Sequence, residues 1–297
     1  MDLNLLRDFL CLARTLSFTR AAEERNITQS AFSRRIRALE SWMGVALVDR
    51  ASFPVRLTPA GTQFLPVAKE TVATLIDARQ AIRDLDQGES TFQRFAVLHT
   101  ISVNYLAGHI TTLEQDIPDL RARVISDSLS TCCQMLADGA CDFLLCYRHA
   151  DVALVLDESQ FARQDIGQER MLPVAQHDAA ARHGWAMPGT PKRPLPYLAY
   201  EPSSFLGTVV DQTIGKRPTH LDKRYVDGLV EAIKRRTLAG SGMAWLPESA
   251  IREDLGRGDL VALAARDWDA TLDLSLFCSP ARLDATGRAV WDSFAQV

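Results

Sequence analysis

Thr28-Gln29-Ser30-Ala31-Phe32-Ser33-Arg34-Arg35-Ile36-Arg37-Ala38-Leu39-Glu40 identifies the kind of domain that opens this chain. Phe32, Ile36 and Leu39, with Met43 one turn further, recur at helical spacing and predict a buried face. Gln29, Ser30, Ser33, Arg34 and Arg37 fall on the opposite face. Short hydrogen-bonding side chains lie near the start of this helix and arginines further along. A helix that enters the DNA major groove needs that set, because Gln reads adenine edges, Arg reads guanine edges and Ser suits base or phosphate. The amides at the helix start add donors and partial positive charge toward phosphate. A solvated polar face accounts for the same pattern, and spacing alone leaves the two readings open.

Upstream, Leu6, Phe9, Leu10 and Ala13 follow the i, i+3, i+4, i+7 stripe of an amphipathic helix. Ser17 is the expected N-cap of a short second helix over Phe18–Arg25, in which Ala21 and Ala22 permit close packing. Asn26-Ile27 makes a tight connection into the third helix. Residues 1–60 carry nine Arg against six Asp or Glu, and the remainder carries 24 basic and 31 acidic residues. The overall charge of −4 therefore hides a basic head on an acidic body, which suits a local polyanion contact.

The string from Ala21-Ala22 through Thr28 to Glu40 continues with Gly44-Val45-Ala46-Leu47-Val48-Asp49-Arg50 and Val55-Arg56-Leu57-Thr58-Pro59-Ala60-Gly61. In that order it resembles the N-terminal signature of LysR-type transcriptional regulators. The resemblance implies an all-α winged helix-turn-helix over residues 1–58 that binds double-stranded DNA. Gln29, Ser30, Ser33 and Arg34 would touch DNA in the groove, with Arg37 on the same face. Arg50 and Arg56 would lie beside the wing, against the DNA backbone. Phe53-Pro54 departs from the family's pattern, which often has Gly or a basic residue in the wing.

Thr58-Pro59 reads as an N-cap followed by Pro at the first helical position. Phe64, Ala68, Thr71, Leu75, Ala78, Ile82 and Leu85 then alternate at spacings of four and three. That seam suits a two-helix coiled coil, or a helix packed on its own domain. Pro66 should bend or loosen the second turn, and Gly88-Glu89-Ser90-Thr91 should end the helix. In the resembled family, segment 59–90 is the linker helix that pairs subunits, which implies a homodimer or homotetramer.

From Arg94 onward short apolar runs alternate with helical periodicity, which predicts parallel α/β construction. Strands are expected at 95–98, 121–126 and 143–147, and a helix with Val103, Leu106, Ile110 and Leu113 on one face follows the first. Leu136-Ala137-Asp138-Gly139-Ala140-Cys141-Asp142 and Leu238-Ala239-Gly240-Ser241-Gly242-Met243-Ala244-Trp245-Leu246-Pro247 resemble the family's effector domain. That domain is expected over 91–297, as two Rossmann-like lobes resembling a periplasmic binding protein. Lobe I would take 91–164 and 268–297, and lobe II 165–267. The hypochlorite-responsive subgroup is the nearest in pattern, through 29–40 and Gly242 to Glu248. Of the methionines, Met43 and Met243 are expected to be buried, leaving Met135, Met171 and Met187 for oxidant chemistry.

Ligands of such two-lobed sheets bind beyond the carboxyl ends of strands. Those ends carry Thr100, Ile101, Ser102, Ser128, Tyr147 and Arg148 in lobe I, and Tyr200, Ser203, Ser204, Asp227 and Gly228 in lobe II. Hydroxyls at helix starts, with Arg148, suit a small-molecule effector such as a carboxylate. The same Ser and Thr residues also suit plain helix capping.

The sequence excludes much else. No apolar run approaches the ~20 residues that cross a bilayer, and no secretory signal is evident, so a soluble cytoplasmic protein is expected. The six cysteines show no C-x-x-C and no zinc spacing, and are expected to be reduced. Most read as core, while Cys132 and Cys133 could have lowered thiol pKa values near a helix start. G-x-S-x-G and the P-loop are absent, and Gly240-Ser241-Gly242 has Trp245 where a dinucleotide fingerprint wants Gly. His177 and His183 show no metal spacing. No enzyme, cofactor or metal is expected. An enzyme or a solute-binding protein on the same lobes is the alternative, but neither accounts for residues 1–85. The resemblance implies RNA polymerase as a further partner.

Overall fold

The computed structural model describes all residues except 1, 26, 53, 88–91, 153, 155, 157–160, 216, 265 and 296–297. Asn26, Phe53 and the helix end expected at Gly88-Glu89-Ser90-Thr91 lie outside the described residues, as does the side chain of Leu85. The chain divides into two compact units, one of Met1–Glu89 with Asp138–Ala140, the other of Ser90–Ala137 with Cys141–Val297.

In the first unit, α1 (Leu3–Thr15), α2 (Phe18–Glu24) and α3 (Gln29–Met43) enclose a core built on Leu6, Phe9, Leu12, Phe32, Ile36 and Leu39. Asp2, Ser17 and Thr28 cap the three helices, accepting from the N–H groups of Asn4, Arg20 and Ala31 at 3.0, 3.4 and 3.3 Å. Gly44 ends α3 at φ 72°, in the left-handed region that glycine enters freely. The fully buried Asp8 of α1 ties the helices together, accepting from Arg25 Nε at 2.7 Å and Arg35 Nη1 at 3.3 Å. A short antiparallel hairpin follows, β1 (Val48–Asp49) with β2 (Arg56–Leu57).

Helix α4 (Pro59–Gln87) starts at Thr58, whose Oγ1 accepts from the Gly61 N–H at 3.0 Å. It runs through Pro66 without ending there. The seam read from the sequence divides in two. Phe64 and Ala68, joined by Val72, pack into the core of the first unit. Thr71 is half-buried, Leu75, Ala78 and Ile82 stand exposed on the later turns, and Val67, which lies off that seam, is exposed beside Ala68.

The second unit begins with β3 (Gln93–Val97), α5 (His99–Ile101), a π-turn over Ser102–Leu106, and α6 (Ala107–Asp116). Then come β4 (Ala122–Ser126), α7 (Leu129–Ala137), β5 (Phe143–Arg148), β6 (Ala162–Gln176), α8 (His177–His183), β7 (Leu195–Tyr200) and α9 (Phe205–Ile214). It closes with β8 (Leu221–Asp227), α10 (Val230–Leu238), β9 (Ala244–Pro247), α11 (Glu248–Arg257), β10 (Leu260–Ala262), β11 (Ala270–Cys278) and α12 (Ala285–Phe294).

Parallel pairing holds for β4-β3-β5 and for β7-β8. Antiparallel pairing accompanies this parallel part: β11 runs antiparallel to both β5 and β6, and β9 and β10 run antiparallel to β6. The main sheet is therefore mixed, in the order β10-β6-β11-β5-β3-β4 with β9 also on β6. Its middle strands serve both lobes. Asp273–Cys278 of β11 pairs with β5, while Ala270–Leu272 pairs with Met171–Glu169 of β6. Asp165, near which the change of lobe is expected, lies inside β6. That strand alternates in burial at first and is buried continuously from Met171 to Ala175, where β9 and β10 join it.

Val103, expected on a buried face, is 62% exposed. The π-turn inserts an extra residue into one turn, so the buried places go to Ile101 and Leu106, five apart. Met243 is buried as expected and so is Met171, whereas Met43, Met135 and Met187 are half-buried. All six cysteines are buried, and Cys132, Cys133, Cys141 and Cys146 share one small core with Leu144 and Phe277. The lowered thiol pKa expected at the start of α7 is overturned, because burial pushes Cys132 up to about 11. Burial likewise pushes Cys11 and Cys278 up to about 12.

A Cβ on Gly61 would stand 2.0 Å from the Leu47 carbonyl oxygen, so Gly61→Ala should cost on the order of 1–3 kcal/mol. A thermal melt of the variant that matched the parent would contradict this packing. In the native protein, an aromatic disulfide reagent should leave the six thiols largely unreacted until denaturant is added. A rapid native-state burst of thiol colour would show the burial to be wrong.

Candidate DNA-reading head and effector lobes

Phe32, Ile36 and Leu39 are fully buried, which turns the opposite side of α3 outward. Gln29 and Ser30 are exposed in its first turn, Ser33 is half-buried one turn on, and Arg34 and Arg37 are exposed beyond it. Ser30 Oγ lies 3.2 Å from Thr28 Oγ1, so one of these two hydroxyls donates a hydrogen bond to the other. The expected set therefore occupies one continuous outer face of α3.

Most other arginines of the head are used internally. Arg14 pairs with Glu24, and Arg20 donates to the Thr15 carbonyl at 2.6 Å. Arg25 and Arg35 hold Asp8, and Arg50 holds Glu40 at 2.7 Å. Arg34 and Arg37 make no ion pair among the described residues. Arg56 is exposed on β2, across the hairpin from Asp49. Arg50, expected against DNA backbone, is thus placed in an internal pair.

The sequence reading missed both buried carboxylates. Asp8 sits on the apolar side of α1 and Glu40 on the apolar side of α3, and each is buried because arginines and amides meet it. An acidic residue in phase with a hydrophobic stripe was the available signal.

The expected effector residues are more scattered. Ile101 lies in the apolar core, and Thr100 is nearly buried with its carbonyl accepting from Asn104 at 3.0 Å. Ser102 is half-buried at the start of the π-turn. Ser128 and Ser204 act as caps, accepting from the N–H groups of Thr131 at 3.3 Å and Gly207 at 3.0 Å. Tyr200 is core, its hydroxyl donating to the Trp245 carbonyl at 2.9 Å. Asp227 accepts from Tyr225 Oη and the Leu229 N–H, and these bonds hold its carboxyl below the usual range. Ser203 and Gly228 are exposed. Arg148 is half-buried, 3.9 Å from Asp165.

Tyr147 leads to a cluster that the sequence did not announce. Its buried hydroxyl donates to Glu169 Oε2 at 3.2 Å, and Ser249 Oγ donates to the same oxygen. Glu169 Oε1 accepts the N–H groups of Arg170 and Ser249, each at 3.1 Å. Glu169 therefore joins β5, β6 and the first turn of α11, and burial holds the Tyr147 phenol protonated far above its usual range. Arg170 beside it is taken by Glu248 at 3.2 Å and Asp269 at 2.7 Å. Among the described residues no group of His, Cys, Asp and Glu could hold a metal ion.

Two family models match. Residues 3–62 fit the bacterial regulatory helix-turn-helix protein, lysR family, and residues 87–297 fit the LysR substrate binding domain. The HTH-type transcriptional regulator YjiE of Escherichia coli K12 is 27% identical over 290 residues, 96% of this chain and 91% of its own. The solved structure of Vibrio fischeri DarR in complex with DNA is 28% identical with a TM-score of 0.61, covering 100% of this chain and 99% of that one. Full-length HypT from Salmonella typhimurium, a hypochlorite-specific regulator, is 25% identical with a TM-score of 0.59, covering 100% and 97%. The two models between them take in nearly the whole chain, its head and its body in the family's order, and the chain belongs to the LysR family: it is a DNA-binding transcriptional regulator with an effector-binding domain, not an enzyme.

Proposed function

We propose that α3 lies in the major groove of a promoter inverted repeat, one half-site per subunit. Gln29, Ser30, Ser33, Arg34 and Arg37 read base edges, and Arg56 meets phosphate beside the wing. The observation that carries this is the sorting of the head's arginines. Arg14, Arg25, Arg35 and Arg50 are spent on Glu24, Asp8 and Glu40, while Arg34 and Arg37 project from the polar face of α3. The exposed Leu75, Ala78 and Ile82 of α4 form the seam along which two copies pair, as a homodimer or as half of a homotetramer.

In functional terms the head is 1–58, the pairing helix 59–90 and the effector domain 91–297, with lobe I at 91–164 and 268–297 and lobe II at 165–267. A small molecule, a carboxylate by preference, binds where Ser102, Ser128, Arg148 and Ser203 reach the surface of the lobes, with the nearly buried Thr100 beneath them. Ile101, Tyr147 and Tyr200 support that site from behind. The effector shifts the balance between two subunit arrangements and so alters DNA and RNA polymerase contact. The protein works in the cytoplasm. Among the described residues no helix is long and apolar enough to cross a membrane. An oxidant as the signal has support from the likeness to HypT, and Met135 and Met187 are the half-buried methionines outside the head that it would use.

Genome-wide mapping of bound sites should return a recurring inverted repeat, and no enrichment in any growth condition would sink the groove reading. At fixed salt, Arg34→Ala should lose about tenfold or more in operator affinity, since one bidentate base contact is worth ~1–3 kcal/mol. An unchanged affinity would remove Arg34 from the contact face. A carboxylate that raises the parent's melting temperature should leave Arg148→Ala unshifted, and an equal shift in both would place the effector elsewhere.

A further inference from the structure

Glu40 is only 8% exposed, and its two oxygens serve two different elements. Oε1 accepts the backbone N–H groups of Leu47 and Val48 at 3.0 and 3.1 Å. Oε2 accepts from Arg50 Nη2 at 2.7 Å. The Arg50 guanidinium carbon stands 5.8 Å from the ring centroid of Phe18 at the start of α2, and Phe18 meets Phe32 of α3 edge-on at 6.0 Å. Val48 opens β1, so one carboxylate on α3 fixes the point from which the wing departs, and the arginine just after β1 locks it from the far side.

We propose that Glu40 is a positioning residue for DNA reading. It holds the β1–β2 hairpin, and with it Arg56, at a set offset from the α3 face that bears Arg34. It also holds the part-exposed Arg50 as a brace on the wing, so that Arg50 contributes no counterion release of its own. An arginine whose charge is already met by a nearly buried carboxylate has little left for a phosphate, and moving it to DNA would leave Glu40 buried and unpaired. This inference rests on the groove reading above.

Full-length parent, Glu40→Gln and Arg50→Gln are compared on the parent's mapped operator across a salt series. The glutamine carbonyl at position 40 still accepts from Leu47 and Val48, while the charge facing Arg50 is gone. Glu40→Gln should lose hydroxyl-radical protection at the wing flank of each half-site while keeping interference at the guanines read in the groove. Its salt slope should stay near the parent's, because the released Arg50 gains a phosphate as the displaced Arg56 loses one. Arg50→Gln should leave the slope of log K against log salt at the parent value. A drop of ~0.9 per subunit in that slope on Arg50→Gln would make Arg50 a direct phosphate contact and overturn the proposal. A parent-like footprint with Glu40→Gln would overturn it as well. Should Glu40→Gln not fold, Arg50→Gln decides alone. A parent with no specific operator would bring down the groove reading and this inference together, whereas a parent that binds its operator normally leaves the variants to judge Glu40.

Discussion

A carboxylate taken out of water must be met by donors, or its burial costs several kcal/mol. This chain meets that requirement repeatedly at points where elements join. Asp8 gathers α1, α2 and α3 through Arg25 and Arg35. Glu40 joins α3 to the wing, and Glu169 joins β5 and β6 to α11. Asp254 of α11 takes Lys234 of α10 at 2.8 Å and Arg257 at 2.6 Å. At each junction an apolar pair would have packed, but only a directional acceptor fixes the angle between the parts. Losing one partner of such a pair strands the other, which makes these junctions the stiff points of the molecule.

The same economy explains how a chain of net negative charge can present a basic surface. The head's excess of arginine is modest, and five of its nine arginines are committed to internal acceptors. Of the other four, Arg7 is half-buried on α1, and the exposed Arg34, Arg37 and Arg56 stand on one helix face and one hairpin. A few unspent charges on a rigid frame give register and direction, whereas the same number scattered over the head would give only general attraction to polyanions.

Legibility in the sequence followed the physics. The stripe of α3, the caps Ser17 and Thr28 and the Pro59 start of α4 could be read because each depends on residues within a turn of one another. Val103 was misplaced because a π-turn is a register change that periodicity cannot carry. The direction of β11 was not legible, because it is set by strands more than a hundred residues away. Asp8, Glu40 and Glu169 stayed hidden since their donors come from other elements. Ser128 and Ser204 read equally as caps or ligand groups, and in the fold they cap.

The two lobes of the effector domain are not joined by loops alone. β6 and β11 run side by side through the junction, hydrogen-bonded from Ala162 and Cys278 at one end to Met171 and Ala270 at the other. A loop crossing lets a lobe swing by rotating a few backbone torsions at almost no cost. A paired ribbon, here shifted in register once between Leu274 and Ser275, behaves as a leaf spring, since a change of angle must bend or twist two bonded strands. Such a joint resists large excursions and returns elastically. A signal received by this domain would travel along the ribbon as a small, stiff deflection rather than a wide closure.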